Sequence, residues 1–280
     1  MKLATIRLAD RTTAVRLDGE DLVDLGVSDV GALLAQPDWR ELAESADGER
    51  YAAADADFAT LVPNPSKVVC VGLNYKTHIQ EMGRDLPEYP TLFCKFADTL
   101  IGAGDEIQRP AETEEFDWEV ELAVVIGAPA RRASGADAEA AIAGFTVLND
   151  ITCRDWQFRT REWLQGKNWD ATTPVGPYLV TPDELPGGVR PALAVSCTVD
   201  GQVMQQDNTS DLLFDPVHLV EYCSTMIRLN PGDLIATGTP GGVGHARKPP
   251  VYLQAGQSVI TEIDGLGRLE NVVVADGGSV

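Results

Sequence analysis

The chain has 280 residues, 44% hydrophobic and 23% charged, a globular composition that excludes a disordered or fibrous chain. Its 22 Lys plus Arg against 43 Asp plus Glu give a net charge of −21, which argues against nucleic acid and anionic membranes as partners. Five cysteines without a Cys-x-x-Cys pair suggest a reduced, cytoplasmic chain, with neither a signal-peptide core nor an apolar run of the ~20 residues that span a bilayer.

Residues 1–62 read as a small α/β module. KLATIRL and TAVRLDGE alternate as a strand pair would, LVDLG adds a third strand, and 29–46 has helical character. LVPNPSK at 61–67 carries two prolines and reads as a linker into a larger catalytic domain over 66–280. Short β runs follow at 67–73, 119–127, 144–150, 192–201, 233–238 and 258–263. Turn signals such as Asp200-Gly201, Pro231-Gly232-Asp233 and Asp264-Gly265 separate them. Helices are predicted at 74–82, 136–142, 155–165 and 215–227. Strands and helices do not alternate regularly, so Rossmann and TIM folds are disfavoured. An α+β, mainly β architecture with peripheral helices is expected.

The 74–82 helix places His78 and Glu81 on one face, three residues apart. A carboxylate beside an imidazole orients it and makes it a better base, although surface helices carry such pairs without function. Glu119 and Glu121 share a strand face by the period of two, and that face continues through apolar Ala123 and Val125. Two like charges on a half-buried face repel and cost desolvation; a divalent cation between them would remove both problems. Asp150, at the end of another strand, adds a third carboxylate. An all-oxygen set without nearby His or Cys suits Mg²⁺ or Mn²⁺, with Ca²⁺ also compatible, and not structural Zn²⁺. Glu-x-Glu by itself is equally what a solvated strand edge shows.

Lysine is scarce, six against sixteen arginines, so Lys95 and Lys167 stand out, as does Gln157 beside the packed stripe of the 155–165 helix. A solvated lysine is the ordinary alternative. Thr237-Gly238-Thr239-Pro240-Gly241-Gly242 lacks P-loop and dinucleotide spacing. Its amides and hydroxyls suit a carboxylate cradle or a tight structural turn.

Five groups of residues together resemble the fumarylacetoacetate hydrolase family over about residues 66–275. They are Gly72-x-Asn74-Tyr75-x-x-His78-x-x-Glu81, Asp117-x-Glu119-x-Glu121-Leu122, Asn149-Asp150-x-x-x-Arg154-Asp155-x-Gln157, Lys167-x-x-Asp170-x-x-x-Pro174-x-Gly176-Pro177, and Pro231-Gly232-Asp233 ahead of Thr237-Gly238-Thr239-Pro240. The resemblance implies that family's mixed β-sandwich roll, usually a homodimer. It implies metal ligands at Glu119, Glu121 and Asp150. It also implies a water-activating dyad at His78 and Glu81, as in the short-chain acylpyruvate and fumarylpyruvate hydrolase branch, and substrate contacts at Lys167, Gln157, Arg154, Tyr75, Gly238 and Thr239.

The implied reaction is hydrolysis of a 2,4-dioxo acid, a small 2-oxo acid substrate. Glu81 orients His78, which deprotonates water for attack on C4. Lys167 and Gln157 stabilise the oxyanion, and C3–C4 breaks to give pyruvate and a carboxylic acid. Oxaloacetate decarboxylation, or hydration or isomerisation of a 2-oxo-alkenoate, are the alternatives within the resemblance. A non-catalytic binding protein is the alternative outside it. Residues 74–90 are expected to close over substrate as a lid.

Overall fold

The strand Val120–Ile126 is buried along its whole length, and the chain is arranged around it. The computed structural model describes residues 1–81, 83 and 85–277; the side chain of Glu81 lies outside the described part. Val120, Leu122, Val124 and Ile126 pack on one face with Val195, Cys197 and Leu269. Ala123 and Val125 pack on the other face with Val68, Cys70 and Leu33. A strand covered on both faces needs a continuous apolar run, and VELAVVI supplies it apart from Glu121.

Val120–Ile126 belongs to a twelve-stranded sheet. From one edge the order is Arg50–Ala52, Asp21–Asp24, Thr12–Asp18, Lys2–Arg7, Thr173–Val180 and Ile142–Asn149. Beyond Val120–Ile126 it continues through Leu234–Ala236, Val68–Gly72 and Thr91–Lys95. Pairing is antiparallel except where Leu234–Ala236 runs parallel to Val68–Gly72 and Leu100–Ile101 to Thr173–Val180. A five-stranded sheet, in the order Gln202–Asn208, Ala194–Val199, Ser258–Ile263, Gly267–Ala275 and Ile107–Arg109, covers one face. Helices are short and peripheral; Pro216–Met226, capped by Asp215, has 11 residues. The α+β, mainly β expectation therefore holds.

Several boundaries differ from the sequence-based expectation. The 29–46 helix is two, Val30–Leu34 and Trp39–Ser45, because Pro37 cannot donate within a helix and disfavours helical backbone just before it. The 155–165 helix is also two short pieces, Arg154–Gln157 and Leu164–Lys167. Leu61 and Val62, read as part of a linker, are 0% and 2% exposed and belong to the core.

Candidate metal centre and active site

Strand register assembles the carboxylates. Val120 stands opposite Asn149 in the antiparallel pair, so each strand delivers its flanking carboxylates to the same end. The Asp150 amide donates to the Glu119 carbonyl at 2.8 Å, and the Glu119 amide to Asn149 Oδ1 at 3.0 Å. Oxygens of Glu119, Glu121 and Asp150 all lie within 4.8 Å of one another, and all three residues are buried.

Three buried cations surround them. Lys167 Nζ donates to Glu119 Oε2 at 2.9 Å and to Asp150 Oδ2 at 2.7 Å. Lys95 Nζ donates to Asp150 Oδ1 at 2.8 Å. Arg154 Nη1 is 2.7 Å from Glu119 Oε1, while its Nε donates to Asp117 Oδ2 at 2.8 Å. Glu121 Oε2 accepts from the Gly238 amide at 2.7 Å.

Four carboxylates, with Asp117 counted, face three cations, so the cluster is short of positive charge. The shortage falls on Glu121. Burial, then Asp150 and Glu119, push its pKa well above the usual carboxylate range. Asp150 goes the other way. Burial raises it, but Lys167 and Lys95 outweigh burial and hold its pKa low. Burial would lower the Lys167 pKa, yet Asp150 and Glu119 raise it, so the ammonium stays charged. An oxygen-only donor set with one uncompensated negative charge fits a hard divalent cation.

Glu119 and Glu121 open onto a cavity of about 250 Å³, with Asp150 buried behind them and not among its lining residues. Of the residues expected to act there, His78, Glu119, Glu121, Arg154, Gln157, Lys167 and Thr239 line it. The Glu81 side chain, the other half of the expected dyad, lies outside the described residues, as do Met82 and Arg84 of the expected lid. Tyr75 does not line the cavity. It is fully buried in the core and bridges to Leu212. Gly238 spends its amide on Glu121, and the Thr239 hydroxyl donates to the Val120 carbonyl at 2.9 Å and accepts from Gln205 Nε2 at 2.8 Å. Both therefore shape the carboxylate strand before they could hold a ligand. Arg154 keeps one donor in reserve: buried Nη2 has no hydrogen-bond partner among the described residues.

Two members of the cluster carried little signal in the sequence. Lys95 is 2% exposed, and the scarcity of lysine was its only mark. Asp117 accepts from the amides of Trp118, Gly244 and His245 and from Arg154. The Asp117-x-Glu119-x-Glu121 motif marked the residue in the sequence, but not this role.

Residues 67–274 match the profile described as fumarylacetoacetate hydrolase, C-terminal. The chain belongs to the fumarylacetoacetate hydrolase family. It is 38% identical over 269 residues to a mitochondrial oxaloacetate tautomerase of Xenopus laevis, covering 92% of this chain and 84% of the relative. It is 44% identical over 223 residues to a human mitochondrial oxaloacetate tautomerase, covering 79% and 70%. Among solved structures, fumarylacetoacetate hydrolase from Exiguobacterium antarcticum matches at a TM-score of 0.88 and 31% identity, covering 98% of this chain and 99% of that one. A 5-carboxymethyl-2-hydroxymuconate delta-isomerase from Mycobacterium smegmatis matches at 0.81 and 32%, covering 98% and 100%. The fold is thus the family's mixed β-sandwich roll. The acylpyruvate hydrolase branch expected from the motifs is not the one the sequence relatives represent: they are named oxaloacetate tautomerases, and the two solved structures are named a fumarylacetoacetate hydrolase and an isomerase. Their mitochondrial names also differ from the cytoplasmic location expected from the cysteines. No helix among the described residues is long and apolar enough to cross a membrane.

Proposed function

We propose that this chain is a metal-dependent enzyme that interconverts the enol and keto forms of a short 2-oxo dicarboxylic acid of the oxaloacetate class. The observation that carries the reading is the buried Glu119–Glu121–Asp150 cluster, crossed by the Lys167 ammonium and opening with His78 onto one small cavity. Tautomerase relatives at 38% and 44% identity support the choice of reaction.

Ketonisation removes the proton from the 2-hydroxyl and adds one at C3. Glu119, Glu121 and Asp150 would hold Mg²⁺ or Mn²⁺, which when bound draws electron density from the substrate oxygens and acidifies C3–H. Lys167, kept protonated by its two carboxylates, donates to the 2-oxygen, where enolate charge is greatest. Gln157 and Arg154 Nη2 supply donors for the adjacent carboxylate. His78 moves the proton to and from C3. The cavity, at the low end of ligand-site volumes, admits a small acid and excludes most water. The same groups would serve hydrolysis of an acylpyruvate if His78 instead activated water, and that is the second reading.

The test is to follow decay of enol oxaloacetate in ultraviolet light beside pyruvate release from an acylpyruvate. Both are run after EDTA treatment and after restoring Mg²⁺ or Mn²⁺. The expected result is metal-dependent ketonisation with no CO₂ release, abolished in Glu119→Gln and slowed about 10²–10⁴-fold in His78→Ala. Pyruvate release from the acylpyruvate with uncatalysed enol decay would replace this reading by the hydrolase.

A further inference from the structure

The cavity contains one more group that the reaction above does not use. Among the described residues, the chargeable nitrogen side chains lining it are His78, Arg154, Lys167 and His245. Beyond their carboxylate partners, Lys167 and Arg154 Nη2 are already assigned to the 2-oxygen and the adjacent carboxylate, and His78 serves the proton transfer. His245 comes from the loop after the Thr237-Gly238-Thr239-Pro240 segment and reaches the cavity apart from the carboxylates. We propose that His245 recognises the second carboxylate of the substrate and so makes the site selective for dicarboxylic acids. This assignment rests on the oxaloacetate-class reading.

The imidazole is held for that task. Its Nδ1 lies 3.1 Å from the Tyr252 hydroxyl and 3.9 Å from Glu115 Oε2, which leaves Nε2 as the nitrogen available to a ligand. The ring packs against Phe158, centroids 5.2 Å apart, and Phe158 also lines the cavity. Its backbone is fixed from beneath, because Asp117 accepts the Gly244 and His245 amides at 2.7 and 2.9 Å. The same Asp117 grips Arg154, which grips Glu119. The spacing between the metal ligand and the imidazole is therefore set by one buried chain of charge-assisted hydrogen bonds.

The charged groups nearest His245 are Glu115 beside Nδ1, Asp117 beneath its amide and Arg247 two residues on. Glu115 lies on the Nδ1 side of the ring, its Oε2 3.9 Å away, and so does not compete for Nε2. Tyr252 stays neutral, its pKa pushed up to about 12 by burial and by Glu115. Arg247 adds positive charge two residues on, although its donors go to the Gly242 and Met204 carbonyls. A charge-assisted hydrogen bond on a partly exposed imidazole gives discrimination of roughly tenfold or more between an acid and its neutral ester.

The experiment pairs oxaloacetate with its 4-methyl ester, which keeps the 2-oxo acid and neutralises the second carboxylate. In His245→Gln the kcat/KM ratio of oxaloacetate to ester should fall by about tenfold, with the loss in KM rather than kcat. Binding supplies an independent readout. With Mg²⁺ present, 3,3-difluorooxaloacetate, which cannot enolise, should bind the variant about tenfold more weakly than wild type, while oxalate, which lacks a distal carboxylate, should not. His245→Arg should restore the preference for the dicarboxylate, and both variants should fold, the side chain being 42% exposed. An unchanged ratio with unchanged difluorooxaloacetate binding in His245→Gln overturns the assignment alone. Failure of the wild type to turn over oxaloacetate overturns the functional reading and this assignment with it.

Discussion

Lys95, Lys167 and Arg154 show what the residue scale hides from a sequence. Glu119, Glu121 and Asp150 were legible as a set because their chemistry is conspicuous: two sit at strand spacing and the third ends a run. Their neutralising partners were not, since each comes from a distant element. Lys95 meets Asp150 across 55 residues and Lys167 meets Glu119 across 48. A lysine that must shed its water to fold is tolerated only where carboxylates wait for it, and no local pattern announces that. Asp24, in the strand Asp21–Asp24, poses the same problem, and there its test is acidity. Burial alone would raise its pKa, but the Gly26 amide, the Thr13 hydroxyl and the Arg11 guanidinium outweigh it and leave the value below the ordinary one. A folded-state pKa below the unfolded one means the carboxylate stabilises the fold above about pH 4, and that stabilisation fades as pH falls through the lowered folded value. Asp24→Asn should cost roughly 1–3 kcal/mol at neutral pH. In urea titrations the gap to wild type should hold from about pH 7 to 5 and close below about pH 4. A gap that persists unchanged at pH 3 would mean the carboxylate's charge is not what matters there.

At the scale of elements, the strands with plain apolar runs were readable, and those built for another reason were not. Thr173–Val180 holds Pro174, Gly176 and Pro177 and was not among the expected strands, yet it pairs with Lys2–Arg7 on one side and Ile142–Asn149 on the other. The 74–82 helix was expected to be the start of a mobile lid. Its entry is pinned: Asn74 Nδ2 donates to the Phe214 and Thr237 carbonyls, its Oδ1 accepts from the Phe214 amide, and Tyr75 and Ile79 are buried. Asn74 spends its amide on backbone, not on water, which its polar side chain did not reveal. The 155–165 helix broke for a different reason. Gly166 lies so close to the Arg154–Gln157 turn that a Cβ there would stand 2.5 Å from the Gln157 backbone nitrogen and Cα. A single continuous helix would hold these residues apart; two short turns folded against each other bring Gln157 and Lys167 to one cavity. Gly166→Ala should therefore move both functional groups. It should cost about 1–3 kcal/mol in stability and, by misplacing Lys167, lower kcat by about 10²-fold. Circular dichroism melts and steady-state rates would check the pair. Normal kcat with lowered stability would show that the site tolerates the shift and that the close approach serves packing only.

The whole molecule poses a conflict between its net charge of −21 and the dianionic substrate proposed for it. The field of so many exposed carboxylates repels an approaching dicarboxylate, whereas Lys167, Arg154 and His245 attract it over a few ångströms inside the cavity. The two effects have different ranges, and salt separates them. Long-range repulsion between exposed charges is screened once the Debye length falls from roughly 20–30 Å at about 0.02 M salt to about 8 Å at 0.15 M. Contacts within a buried site are screened far less. Adding salt should then remove more repulsion than attraction, so kcat/KM for oxaloacetate should rise, by a few-fold between about 0.02 and 0.2 M NaCl. The 4-methyl ester carries one charge fewer and should respond about half as steeply on the same logic. Free Mg²⁺ must be held saturating throughout, because salt also weakens cation binding to the acidic cluster and would counterfeit a fall. A decrease for both substrates at saturating Mg²⁺ would mean that the mouth of the cavity presents a positive potential strong enough to overrule the rest of the surface. In that case the acidity of the chain serves solubility alone and places no burden on substrate capture.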